Sequence, residues 1–132
     1  MTSLPSTDDN KAVVRRFLAA ISSGGDLDLI DELVAPTYVN RGMGNVDRAG
    51  FKAMLSGMQG ASDVEIQDLV AEDDAVVVRS TMNITLGSGQ KISARAITFY
   101  RLAGGRIVED DTMTTPDLAQ ILGGQVPTLA SP

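Results

Sequence analysis

The sequence predicts an α+β domain in which helices come first and an antiparallel sheet follows. Apolar residues recur at helical spacing through the first part of the chain, then after Gly60 the pattern changes to extended runs. Those runs, "DVEIQDLVAE", "DAVVVRSTMNITL", "KISARAITFYRL" and "RIVEDDTMTT", are separated by turn signals at Glu72-Asp73-Asp74, Gly87-Ser88-Gly89 and Ala103-Gly104-Gly105. Helices followed by a meander of four strands place the helices on one face of a curved sheet.

The elements follow in order. Residues 1–7 are expected to form a flexible N-terminal arm, 8–122 a single domain and 123–132 a C-terminal tail. Asp8 or Asp9 is the expected cap of a first helix, on which Val13, Val14, Phe17, Leu18 and Ile21 share a face before Gly24 and Gly25 end it. "DLDLIDELV" predicts a second, short helix starting around Asp26 and Asp28 and stopping before Pro36. "PTYVNRGMGN" reads as a connector. Asp47 then caps a third helix carrying Phe51, Met54, Leu55 and Met58 on one side. "PDLAQILGGQ" adds one terminal helical turn.

Composition narrows the chemistry. A chain of 132 residues supports one core, and 43% hydrophobic with 21% charged residues is the balance of a folded globular protein. Cysteine is absent, which removes disulfides, thiolate metal sites and cysteine nucleophiles. Histidine is absent as well, so acid–base work falls to Asp, Glu, Tyr or Lys, and Ser-His-Asp triads are excluded. The net charge of −6, without clustered Lys or Arg, argues against nucleic acid as a partner. No apolar run approaches membrane-spanning length and no signal segment opens the chain, so neither membrane association nor export is expected, and the location expected is cytoplasmic. A metal is not expected, since the pocket inferred below holds one acid, and the function expected below uses no cofactor.

Three stretches, "NKAVVRRFLAAISSGGDLDLIDELVAPTYVN" at 10–40, "DLVAEDDAVVVR" at 68–79 and "FYRLAGGRIVE" at 99–109, carry a resemblance. The chain resembles the SnoaL-like polyketide cyclases of the nuclear transport factor 2-like (cystatin-like) superfamily, and more weakly the limonene epoxide hydrolases. The resemblance implies a cone-shaped curved antiparallel sheet closed by N-terminal helices. It also implies where a site would be: the hydrolases' Y-x-N motif matches Tyr38-Val39-Asn40, and the arginine of their Arg-x-Asp pair matches Arg79. The second residue of that pair falls on Thr81, and the last-strand acid of both families falls on Thr112. The cyclases' pocket histidine falls near Thr98.

If Thr112 faces into the cone, strand alternation places Val108, Asp110 and Thr114 there too and turns Glu109 and Asp111 outward, where Arg95 or Arg101 could pair with them. The same reasoning, anchored on Arg79, puts Arg79, Thr81 and Asn83 inside on the second strand, with Val78, Ser80, Met82 and Ile84 outside. On the third strand Ala94, Ala96, Thr98 and Tyr100 point inward. An outer face carrying Met82, Ile84, Ile97 and Phe99 predicts a homodimer, with the C-terminal segment folding over that face as the alternative.

Asp110 is thus the candidate acid–base, its pKa raised by an apolar cavity, or else the partner of Arg79 in a structural ion pair. Arg79 and Tyr38 are candidate oxyanion stabilisers, although Tyr38 could equally be a packing residue. Asn40 could position substrate or be a turn residue, and Arg41 could receive substrate at the mouth or be solvated. Met54 and Met58 line the pocket or the core. Thr81, Asn83, Thr98, Tyr100 and Thr112 complete the expected substrate-binding set. The function this predicts is a cofactor-independent cyclase of secondary metabolism, such as antibiotic biosynthesis, acting on a hydrophobic polyketide-type substrate. The alternatives are a non-catalytic binder of small hydrophobic ligands and a hydrolase or hydroxylase whose acid has moved to Asp110.

Overall fold

A computed structural model describes residues 6–22, 25–57 and 62–116. The first helix, α1 (Thr7–Ile21), is capped one residue before the helix by Ser6, not by Asp8 or Asp9. Ser6 Oγ accepts from the Asp9 backbone N–H at 3.0 Å while the Ser6 N–H donates to Asp9 Oδ2 at 3.0 Å, a reciprocal capping box that satisfies two otherwise orphaned donors. Asp9 is therefore the third helical residue. At the far end Ser22 Oγ donates to Leu18 O and accepts from the Val64 N–H, tying the helix to the sheet. Gly25 packs against that end so closely that a Cβ would lie 2.2 Å from Ala19 O, so only glycine fits.

The second helical stretch is a short 3₁₀ turn, Leu27–Leu29, capped by Asp26 and running into α2 (Ile30–Leu33). The chain then enters strand β1 (Val34–Asn40) where a connector was expected, turns through residues 41–45, and forms the short strand β2 (Val46–Asp47). Helix α3 (Arg48–Gly57) follows, with Asp47 Oδ1 accepting from the Gly50 N–H at 2.8 Å as its expected cap. The four expected strands are β3 (Ser62–Glu72), β4 (Ala75–Thr85), β5 (Lys91–Ala103) and β6 (Arg106–Thr115). The expected terminal helical turn, beyond Pro116, and the tail at 123–132 lie outside the described residues.

All six strands form one curved, unclosed sheet in the order β2-β1-β6-β5-β4-β3. Most pairs are antiparallel, but β1 runs parallel to β6, with Asn40 opposite Asp110. Pro36 cannot donate to a ladder, and it falls within the interval between Val34 and Val39 where that pairing shifts register. The sheet wraps around α1 and α3. Four of the five aromatic residues meet in the core. Phe17 stacks on Phe51 at 5.9 Å between centroids and meets Tyr100 edge-on at 5.8 Å, and Tyr38 tilts against Phe51 at 5.5 Å. Ile107, Ile30, Leu33 and Val14 close the core around them.

The face each strand presents departs from expectation in two places. On β4 the phase is opposite to the one expected: Val76, Val78, Ser80 and Ile84 are buried while Arg79 is exposed. On β6 the pairing with β5 slips between Arg101 and Leu102, so that Arg101 faces Glu109 but Leu102 faces Ile107. Val108 is the extra residue of that bulge, and the fully buried side chain there is Ile107, not Val108. Alternation from Asp110 to Thr114 and along the whole of β5 runs as expected.

Candidate active site

The curve of the sheet and the helices inside it enclose a cavity of about 310 Å³. Its helical wall is apolar, from Leu18, Ile21, Phe51, Met54 and Leu55, and its sheet wall carries Ser80, Thr98, Tyr100, Asp110 and Thr112. In the middle of β6, Asp110 is 4% exposed. Tyr38 Oη donates to Asp110 Oδ2 at 3.1 Å and Thr112 Oγ1 donates to Asp110 Oδ1 at 3.2 Å. Thr98, directly opposite Thr112 on β5, brings its Oγ1 to 3.0 Å from Thr112 Oγ1.

The parallel pairing of β1 with β6 makes this arrangement possible, because it delivers Tyr38 and Asn40 beside Asp110 from a remote part of the chain. The turn after β1 is then fastened to the site. The Arg41 N–H donates to Asp110 O at 2.7 Å, and the Met43 N–H donates to Asn40 Oδ1 at 3.1 Å. Gly42 lies so near β6 that a Cβ would come within 2.8 Å of Thr112 N and O.

Burial pushes the Asp110 carboxyl up to about 6, the nearby Asp111 charge adds to this, and the hydrogen bonds from Tyr38 and Thr112 pull the other way. The cavity lining contains no Lys or Arg among the described residues, so no cation offsets the desolvation. Burial, followed by the Asp110 charge, raises both Tyr38 and Tyr100 well above the ordinary phenol value. For Tyr38 the hydrogen bond to Asp110 adds to the rise. For Tyr100 the Tyr38 charge adds to it, while a hydrogen bond to Thr98 opposes it. Both tyrosines are hydroxyl donors at neutral pH. The arrangement offers one buried carboxyl poised near neutrality and a wall of neutral donors, which suits proton transfer to and from an uncharged organic molecule.

Of the residues expected here, Asp110, Asn40, Met54, Thr98, Tyr100 and Thr112 line the cavity, and Tyr38 stands behind Asp110 in the core. Arg79 does not: its side chain is 58% exposed on the outer face and paired with Asp68, so the alternative of an Arg79–Asp110 ion pair also falls. Thr81 and Asn83 share that outer face, Thr81 accepting from Gln67 at 3.1 Å and Asn83 donating to Glu65 at 2.8 Å. Arg41 sends its side chain outward to Glu109, with Nε 2.7 Å from Oε2, and Arg101 reaches the same carboxylate at 3.6 Å, the outward pairing expected for Glu109. Met58 lies outside the described residues. Val78, Ser80, Met82 and Ile84, expected outside, line the cavity instead. The residues that would have signalled this are Arg79, Thr81 and Asn83 themselves, a polar set alternating with an apolar one.

With Met82 and Ile84 inside, the outer face is less apolar than expected. Ile97 remains 48% exposed there, and Arg101 covers Phe99 with its guanidinium 5.1 Å from the ring centroid. No helix among the described residues is long and apolar enough to cross a membrane.

A family model described as a SnoaL-like domain matches residues 14–110. Comparison with curated proteins finds no sequence relative. Among solved structures, a Jannaschia sp. CCS1 protein assigned as a SnoaL-like polyketide cyclase superposes with a TM-score of 0.74 at 22% identity, covering 93% of this chain and 95% of the other. IdmH of Streptomyces antibioticus, assigned as a polyketide cyclase, gives 0.71 at 24% identity over 85% and 97%. An LEH-like epoxide hydrolase of M. tuberculosis gives 0.74 at 21% identity over 93% and 99%. These likenesses describe the fold.

Proposed function

The chain belongs to the SnoaL-like domain family, and from that premise we propose that it is a cofactor-independent enzyme that closes or rearranges a ring in a hydrophobic, polyketide-type substrate. The observation that carries the reading is Asp110: buried, without a cationic partner in the cavity lining, and raised to about 6. A cavity of about 310 Å³ is at the small end of the range for organic ligands, about 300–1,000 Å³, and suits a substrate of one or two rings.

At neutral pH Asp110 is mostly ionised, and a desolvated carboxylate is a stronger base than a hydrated one. In the proposed reaction it removes a proton from a carbon beside a carbonyl, breaking a C–H bond. The resulting enolate carbon attacks a second carbonyl of the same chain, forming a C–C bond, and the new alkoxide is protonated. Tyr100 lines the cavity as a neutral hydroxyl that would donate toward developing negative oxygen, the role expected of Arg79. Tyr38 commits its proton to Asp110 and so holds the base, while the helical wall holds the chain folded.

A hydrolytic reading has one observation in its favour, the contact of Tyr38 with the buried acid, beside Asn40, where a water could be held. The two are separated by incubating cofactor-free protein with poly-β-carbonyl substrates and with epoxides in ¹⁸O-water. Isomeric product without label, lost in Asp110→Asn, supports cyclisation, and labelled diol supports hydrolysis. Ligand binding that survives Asp110→Asn, with no conversion by wild type, would make the domain a binder. A second copy covering Val70, Ile97 and Met113 of the outer face completes the proposal as a homodimer in the cytoplasm, and sedimentation equilibrium checks the dimer.

A further inference from the structure

Ser80 lines the cavity, yet no step of the proposed reaction uses it. The inner face of β4 is otherwise apolar, with Val76, Val78, Met82 and Ile84 on either side of this residue, and Ser80 is only 4% exposed. A serine oxygen can donate one hydrogen bond and accept two. Among the described residues nothing bonds to this one. Thr98 and Thr112 are engaged with each other and with Asp110, and the one fully buried side-chain polar atom without a partner is Asn10 Oδ1, which is not in the cavity lining. The Ser80 hydroxyl is therefore open to the cavity. A hydroxyl placed in an apolar wall with no protein partner costs stability unless something in the cavity meets it.

Its place in the sheet says what could meet it. Val76 is the register partner of Tyr100, Val78 of Thr98 and Ser80 of Ala96, so Ser80 stands four residues along and one strand across from Tyr100. At about 3.4 Å per residue and about 4.8 Å between strands, that separation is about 14 Å along the wall. A hydrogen bond of about 2.8 Å at each end leaves about 8 to 9 Å between two ligand oxygens, which is the length of a two-ring frame. We infer that Ser80 is a second oxygen subsite, and that the cavity takes a neutral molecule of two fused rings with a carbonyl oxygen at each end, one facing Tyr100 and the other accepting from Ser80. The inference rests on the cavity being the site of a hydrophobic, carbonyl-bearing substrate, and adds the oxygen spacing that it selects. The wall between the two ends suits ring carbon, with Val78 on the sheet side and Met54 and Leu55 on the helical side. Ser80 is a binding residue in this arrangement and moves no proton.

A serine that serves the fold alone, or that holds a water, makes no demand on the far oxygen of a ligand. The test is therefore a cycle between protein and ligand. It compares trans-decalin-2,6-dione, whose two ketones are equivalent, with trans-2-decalone, which lacks the second, each titrated calorimetrically into wild type, Ser80→Ala and Ser80→Thr. The dione should bind wild type more tightly than the monoketone. In Ser80→Ala that preference should fall about three- to tenfold, the effect of one hydrogen bond, while the Kd of the monoketone moves less than about twofold. Ser80→Thr keeps a hydroxyl and should keep the preference. A dione that binds wild type no more tightly than the monoketone, a preference unchanged in Ser80→Ala, or both ketones weakened alike by that substitution, would overturn the subsite and leave the proposed site standing. Wild type binding neither ketone would overturn the subsite and the carbonyl-substrate reading together.

Discussion

Replacing Asp110 with asparagine should make the protein more stable, and by an amount that depends on pH. The carboxyl is raised from 3.8 to about 6, a shift of about 2 units, and at about 1.36 kcal/mol per unit the buried charge costs close to 3 kcal/mol. The sign follows from proton counts. Between about pH 4 and pH 6 the folded chain holds a proton at Asp110 that the unfolded chain has released, so this residue's contribution to stability falls as pH rises through that window. Below it both states are protonated and the cost is absent; above it the cost is complete. Asparagine is neutral throughout, and its amide can still accept from Tyr38 and donate to Thr112, any loss of geometry being constant with pH. Urea melts of both proteins at pH 4, 5, 6 and 8 should therefore show the variant gaining about 2 to 3 kcal/mol relative to wild type from the lowest pH to the highest, since the unfolded carboxyl is already partly ionised at pH 4. In thermal melts that corresponds to a relative Tm gain of about 10 °C for a chain of this length. Every other acid is common to both chains and cancels in the difference. A difference that is flat with pH, or that favours wild type increasingly above pH 6, would refute the argument that desolvation dominates at Asp110.

Other outcomes follow from the same geometry. Arg79→Ala removes an exposed ion pair with Asp68 and should change urea-melt stability by less than about 1 kcal/mol and leave turnover as in wild type; a large loss of activity would put Arg79 back in the cavity. Gly42→Ala introduces a Cβ 2.8 Å from the backbone of Thr112, which cannot step aside, so thermal melts should show a loss of about 1–3 kcal/mol, and an unchanged Tm would mean the turn is not packed on β6. Thr112→Val removes one of the two donors that lower Asp110, so the carboxyl should titrate about one unit higher by ¹³C NMR, and a downward shift would contradict the contact.

The strands and helices were legible because their periods are plain, and the buried acid was legible because the phase of β6 near Asp110 is regular. What failed was instructive. On β4 the simple reading puts Val76, Val78 and Ile84 inside and Arg79, Thr81 and Asn83 in water, which is what the structure shows. Matching Arg79 to a relative's arginine overrode that alternation and misplaced all seven residues from Val78 to Ile84 at once, because the side-chain period of 2 moves every residue of a strand together. On β6 the count from Thr112 held down to Asp110 and broke at the bulge, since an inserted residue leaves no trace in the run of side chains. Strand β1 was hidden by Pro36, which is tolerated where the ladder is irregular. Nothing local to "PTYVN" signals a parallel partner some seventy residues away, and that partner brings Tyr38 to Asp110.

The misplaced arginine changes the chemistry more than the fold. With Arg79 at the rim of Asp110, the carboxylate would be paired, low in pKa and weak as a base; with Arg79 outside, its environment is set by an apolar helical wall on one side and neutral hydroxyls on the other. Such a cavity orients a molecule by polarity alone. In the proposed reading, hydrocarbon would lie against Phe51, Met54 and Leu55, and a carbonyl oxygen would face Tyr100. A substrate bringing its own negative charge would meet Asp110 with no cation among the described lining residues to balance it, so the cavity favours a neutral molecule. The threonines at 98 and 112 are consistent with that economy: they supply hydrogen bonds where a second acid or a histidine would have added a charge the cavity cannot solvate.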